Sequence, residues 1–219
     1  MTVGFWHIWE ARNDARNTDA KPDPVRTCFW HILAYIDLIR STLLEPAPDI
    51  RREPVVSTPE GIPPPPGTCM IYSDAAIFQA LDRMGAGVII RHHDGGFRAA
   101  CRSQLSGLAA PEDAEALALR RAVSFARDEG VDRAIFATDC LSLVQRLHSS
   151  PLDRSVVGMV VGDIKLLASE FSSVSFTHVK RSLNEAAHVL ANSCSSVISS
   201  DIFHSAPEFI ERTLCIDVV

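Results

Sequence analysis

The sequence predicts an α/β domain, a mixed five-stranded sheet flanked by helices, preceded by a short helical segment and a proline-rich linker. Three observations carry this. After residue 67, apolar runs of strand length alternate with segments of helical period. Glycines and prolines punctuate the junctions between them. The composition, 47% hydrophobic and 22% charged over 219 residues, suffices for one ordinary core with extra segments attached.

The elements follow in order. "GFWHIWEARND" and "CFWHILAYIDLIRSTLLE" show an apolar face at helical spacing on either side of the turn-like "TDAKPDP", so two helices are expected within residues 1–45. Trp6, Trp9 and Trp30 there suit either a two-helix core of their own or packing against a neighbour. Eight of the thirteen prolines fall between Pro46 and Pro66, ending in "GIPPPPG", which makes 46–67 an extended linker. The domain proper is expected over 68–198. "TCMIYSDAAI" reads as a strand, and "GAGVIIRHHDGGFRAACRSQL" as two strands joined by a "DGG" turn. "PEDAEALALRRAVSFARDEG" reads as a helix with Pro111 at its start and Gly130 past its end. The strand "RAIFATD", the helices "CLSLVQRLHS" and "VVGMVVGDIKLLASEF", the strand "SVSFTHVK" and a helix from about Asn184 complete it. In the tail, 199–219, "APEFIERTLCIDVV" is expected to dock back as a short amphipathic helix.

The net charge of -6 excludes a phosphate-binding surface spread over the whole molecule, so any nucleic-acid contact is local. Cys28, Cys69, Cys101, Cys140, Cys194 and Cys215 form no C-x-x-C pair and have no histidine at zinc-finger spacing. They read as reduced thiols of an intracellular protein, in nucleus or cytoplasm. The start "MTVGFWHIWEARND" lacks a basic n-region, and its apolar run is broken at His7 and Glu10, so neither a signal peptide nor a membrane span is expected.

Three acids stand out against this pattern. Asp74 interrupts the strand "CMIYSDAAIF", where a charge is costly unless a basic partner, backbone donors or a metal compensates it. Glu115, at about 100° per residue, shares its helix face with Ala118, Leu119, Ala122 and Ala126, and so points at the sheet. Glu112 and Asp113 suit the first-turn dipole instead. Asp139 closes the strand "IFATD" before a helix, a place that fits either an N-cap or a ligand. Acids at a strand middle, an inward helix face and a strand end are what a Mg²⁺ site on a sheet needs, since hard ions take carboxylate oxygens from separate elements. Two such ions about 4 Å apart can activate water and stabilise a leaving oxygen.

In this order, "YSDAA", "GAGVIIRHHDGG", "EDAEALALRRAVSFA", "IFATDCLSLVQRL" and "VSFTHVKRSLNEAAHVLANS" resemble the ribonuclease H fold. The resemblance is closest to plant ribonuclease H-like domains related to non-long-terminal-repeat retroelement polyproteins, and "WHIWEARND" resembles the segment that precedes them. It implies a two-metal site for Mg²⁺, with Mn²⁺ as a substitute, held by Asp74, Glu115 and Asp139. It also implies cleavage of the RNA strand of RNA–DNA hybrids. At the family's fourth acid this chain has His188 in "NEAAHVLA", off the apolar stripe of Leu183, Ala187, Leu190 and Cys194. His188 is either an ordinary solvated histidine or a participant at the metal, through a water or as a proton carrier.

Two further departures bear on activity. The loop "VKRSLNEA" is too short for the histidine that active members carry there, and "HSSPLDRSVVG" leaves no room for a basic protrusion. Lys180, Arg181 and Asn184 are the expected nucleic-acid contacts, while Arg91, His92, His93, Arg98 and Arg102 read as a basic rim around the hairpin. The leading expectation is a monomeric, metal-dependent endonuclease with no membrane association and no indicated protein partner. The alternative is a binding or interaction module of retroelement descent that keeps the fold with little or no turnover.

Overall fold

The computed structural model describes residues 64–149, 153, 155–196 and 200–214. The two helices expected in 1–45 and most of the linker lie outside them, as do Cys28 and Cys215. A sheet of six strands runs in the order β5-β4-β1-β2-β3-β6. β1 (Cys69–Phe78), β2 (Arg83–Arg91) and β3 (Phe97–Ser106) form an antiparallel meander. β4 (Arg133–Thr138) pairs parallel with β1, and β5 (Ser173–His178) parallel with β4. Parallel neighbours need crossovers, and the helices supply them. α1 (Pro111–Asp128) links β3 to β4, while α2 (Leu141–His148) and α3 (Val156–Ala168) link β4 to β5. α4 (Glu185–Ser193) follows β5 after a 3₁₀ turn over Arg181–Leu183.

The sheet has one more strand than the sequence pattern suggests. β6 (Asp201–Phe203) comes from the tail and pairs antiparallel with Ala100–Arg102 of β3. α5 (Glu208–Leu214) follows it and buries Ile210 completely. Three residues are too few to show a period of two, so this strand is made by its partner rather than by local pattern.

Register decides which side chains share a face. Directly opposed residues point the same way, so Asp74 shares a face with Gly87, and Ser103 shares the other face with Ala86. α1 covers the second face, where Arg121 donates to the Ser103 hydroxyl at 3.1 Å. α4 lies on the first. Gly87 admits its backbone there, since a Cβ would stand 2.2 Å from the Ala187 carbonyl oxygen. β2 is therefore buried on both sides, with Val88, Ile89 and Ile90 at the centre of the core.

The β2–β3 connection has the turn chemistry its "DGG" predicts. Gly95 adopts φ +83°, and the Asp94 carboxylate accepts from Gly96 N–H at 2.9 Å. Arg91 departs from the basic rim expected here. It is 3% exposed and donates to the Leu214 carbonyl at 2.9 Å. Among the described residues no helix is long and apolar enough to cross a membrane. Cys69, Cys101, Cys140 and Cys194 are free thiols, and burial pushes Cys101 up to about 12.

Candidate metal centre

The site forms where β1 outruns β4. Their pairing ends at Tyr72 and Ala137, so beyond it β1 has no strand neighbour on that side among the described residues. Asp74 stands two residues past the last pair and Asp139 just after the end of β4. Glu115 reaches the same gap from the α1 face, and its Oε1 accepts from the Ala75 N–H at 3.4 Å. One ligand atom from each of Asp74, Glu115 and Asp139 lies within 4.8 Å of the others.

Burial disfavours charge on Asp74 and Glu115, and the neighbouring carboxylates repel it further. Glu115 is pushed up to about 8, by burial first and then by the charges of Asp74 and Asp139. Asp74, 3% exposed, is raised by burial, against which a hydrogen bond from His188 works. Glu115 Oε2 is buried with no hydrogen-bond partner. A buried, unpaired carboxylate oxygen beside two more carboxylates fits a hard divalent cation, which supplies the opposite charge and the missing partner together. Glu112 stays out of the cluster. Arg146 holds it at 2.9 Å and lowers its pKa.

Asp139 is not the cap of α2. Cys140 occupies the N-cap and makes no side-chain capping bond, while Asp139 lies 3.9 Å from the Arg181 guanidinium. Of the two uses open to it from sequence, the acidic cluster is the one it takes up.

His188 closes the other side. Its Nδ1 lies 2.8 Å from Asp74 Oδ2, a contact between α4 and β1. An ionised Asp74 accepts here from an Nδ1 that carries the proton. Two further side chains lie against the ring: Asn192 Nδ2 is 3.1 Å from Nε2 and 3.3 Å from Nδ1, and Arg181 Nη2 is 3.3 Å and 3.5 Å from them. The same Asn192 amide donates to the His188 carbonyl at 2.9 Å, which sets its orientation. Asn192 has no part in the expected site, although its i+4 spacing from His188 is visible in the sequence.

Asn184 corrects an expectation. It is 1% exposed, and its amide donates to the Ser73 carbonyl at 2.9 Å. It fastens α4 to β1 and is closed off from any nucleic acid. Arg181 is 67% exposed beside Asp139, and Lys180 is exposed at the start of the 3₁₀ turn. Arg102 of the expected rim is instead paired with Asp201 at 2.7 Å.

A family model described as reverse transcriptase-like matches residues 73–194, which is more than half of the chain and spans every residue of the cluster. The chain belongs to the reverse transcriptase-like family. Solved structures place this reverse transcriptase-like domain in the ribonuclease H fold. The RNase H1 of the halophilic archaeon Halobacterium salinarum NRC-1 is 26% identical with a TM-score of 0.54, covering 58% of this chain and 97% of that one. The N-terminal RNase H domain of a Mycobacterium tuberculosis protein is 21% identical (TM-score 0.51), covering 57% of this chain and 91% of that one. A compost-derived LC11-RNase H1, solved in complex with an RNA/DNA hybrid, is also 21% identical (TM-score 0.51; 57% and 94% covered). A search of curated proteins finds no significant match. The family match stops at residue 194, before β6 and α5.

Proposed function

We propose that the protein is a divalent-metal-dependent endonuclease that hydrolyses the RNA strand of RNA–DNA hybrids, leaving 3′-hydroxyl and 5′-phosphate ends. The convergence of Asp74, Glu115 and Asp139 within 4.8 Å carries this reading. All-oxygen donors on separate rigid elements suit Mg²⁺, with Mn²⁺ as a substitute. Bound there, a pair of such ions would activate water and stabilise the leaving oxygen of a phosphodiester. Asp74 and Asp139 would be the anchoring carboxylates, Glu115 would hold one ion and orient the water, and the His188 imidazole would assist beside Asp74. Arg181, exposed next to Asp139, and Lys180 position phosphates without reading sequence. Free thiols at the described cysteines suit a reducing compartment, nucleus or cytoplasm, and the family supports descent from a retroelement.

One observation favours a second reading, a binding module with weak or no turnover. His188 stands where a fourth acid would, and it engages Asp74 Oδ2 at 2.8 Å. The deciding experiment is cleavage of a labelled RNA–DNA hybrid by the full chain in Mg²⁺ and in Mn²⁺, beside Asp74→Asn. Metal-dependent cleavage that disappears in Asp74→Asn, with the melting curve intact, is the expected outcome. Cleavage retained by Asp74→Asn refutes the assignment, and hybrid binding without cleavage establishes the module.

A further inference from the structure

Residues 201–214 lie outside the span of the family match, yet they are built into the side of the domain that carries His188. α5 buries Ile210 against Ile89, Ala100, Ala186 and Leu190. Ala186 and Leu190 belong to α4. Each is two residues from His188, so at about 100° per residue both project from the flank of α4 roughly opposite the imidazole. The tail therefore lies behind the helix, with the acidic cluster in front of it.

Arg102 ties this arrangement together. From β3 it donates to Ser193 Oγ at the end of α4 (3.1 Å) and to Asp201 Oδ2 of β6 (2.8 Å). Its guanidinium also sits 5.7 Å and 5.6 Å from the ring centroids of Phe203 and Phe209. The far end of α5 is fixed by Arg91, through the Leu214 carbonyl. The contact at stake is short-ranged. His188 Nδ1 to Asp74 Oδ2 is 2.8 Å, and a helix shift of about 1 Å ends such a hydrogen bond.

We propose that β6 and α5 form a backstop that positions α4 and keeps His188 in hydrogen-bond contact with Asp74, with Ile210 and Arg102 as the positioning residues. The inference deepens the metal-site reading and rests on it for its second readout only.

The test uses the full chain with ¹⁵N-labelled histidine, in chelator. The His188 Nδ1 proton is assigned by its loss in His188→Gln, and Mn²⁺ affinity is then measured by calorimetry. Ile210→Ala and Arg102→Met are compared with Leu143→Ala, which opens a cavity in the core under α2, away from the tail. The expected result is that the two tail variants broaden or lose the His188 proton and weaken Mn²⁺ binding severalfold. Leu143→Ala, destabilised as well, should leave both as in the wild type. Should Ile210→Ala not fold, Arg102→Lys takes its place, keeping a charge for Asp201 without the reach to Ser193. A His188 proton as sharp in the tail variants as in the wild type overturns the backstop. A wild-type protein that shows the proton but binds no Mn²⁺ overturns the metal reading instead, and the proton alone then decides the backstop.

Discussion

Glu115 is a carboxyl whose environment opposes its charge, and the consequence is measurable without substrate. Its folded-state pKa is about 8 against an ordinary 4.5. Between those values the metal-free folded protein keeps a proton that the unfolded chain has released, so stability is full below about 4.5 and falls as pH rises toward about 8. Asp74, also raised, contributes in the same direction. In chelator, the melting temperature should fall across that window, and Glu115→Gln should abolish most of the fall and be the more stable protein at pH 8. Parallel curves for the two proteins would contradict the shifted carboxyl. Asp74 and Glu115 were legible in the sequence because each violates its local pattern, a charge inside a strand and an acid on an apolar helix face, whereas Asp139 at a strand end fitted an N-cap equally well. Asn184 was not legible, because its burial depends on the Ser73 carbonyl 111 positions away. The same holds for the partner of His188, since helical spacing shows that it leaves the apolar stripe but not that Asp74 receives it.

At the scale of elements, the seating of α4 on β2 governs the site, and two glycines separate seating from propensity. A Cβ on Gly87 would meet the Ala187 carbonyl oxygen at 2.2 Å and the Ala191 nitrogen at 2.4 Å, both backbone atoms. Gly87→Ala must therefore lift α4, at a cost of about 1–3 kcal/mol. Gly162, inside α3, has nothing within 4 Å of its would-be Cβ, so Gly162→Ala should stabilise by about 0.5–1 kcal/mol. Denaturant melts of the two variants check the opposite signs. Most elements were readable from period and punctuation, as with Pro111 opening α1 and Gly130, at φ +68°, following its end. β6 was hidden because "DIF" becomes a strand only beside Ala100–Arg102.

For the whole molecule, a net charge of -6 leaves few cations for phosphates, and several of the expected ones are committed internally. Arg91 holds α5 and Arg102 holds β6. Hybrid binding should accordingly depend on the metal more than on basic surface, with a shallow salt dependence. Mg²⁺ that binds only the folded state should raise the melting temperature, by about 2.7 kcal/mol of stabilisation at a hundredfold excess over its dissociation constant. An unchanged midpoint in Asp74→Asn would attribute the effect to this site. The junction of β1 with β4 has a kinetic side as well. The meander β1–β2–β3 needs only neighbouring residues to zip, whereas the parallel β1–β4 pairing waits for α1 to fold back between them. Asp139 joins Asp74 and Glu115 only when that late pairing is complete, so its repulsion with them belongs to the native basin and is largely absent from the barrier leading to it. A bound cation should then slow unfolding while leaving the refolding rate almost untouched, a division that stopped-flow traces with and without Mg²⁺ would display directly.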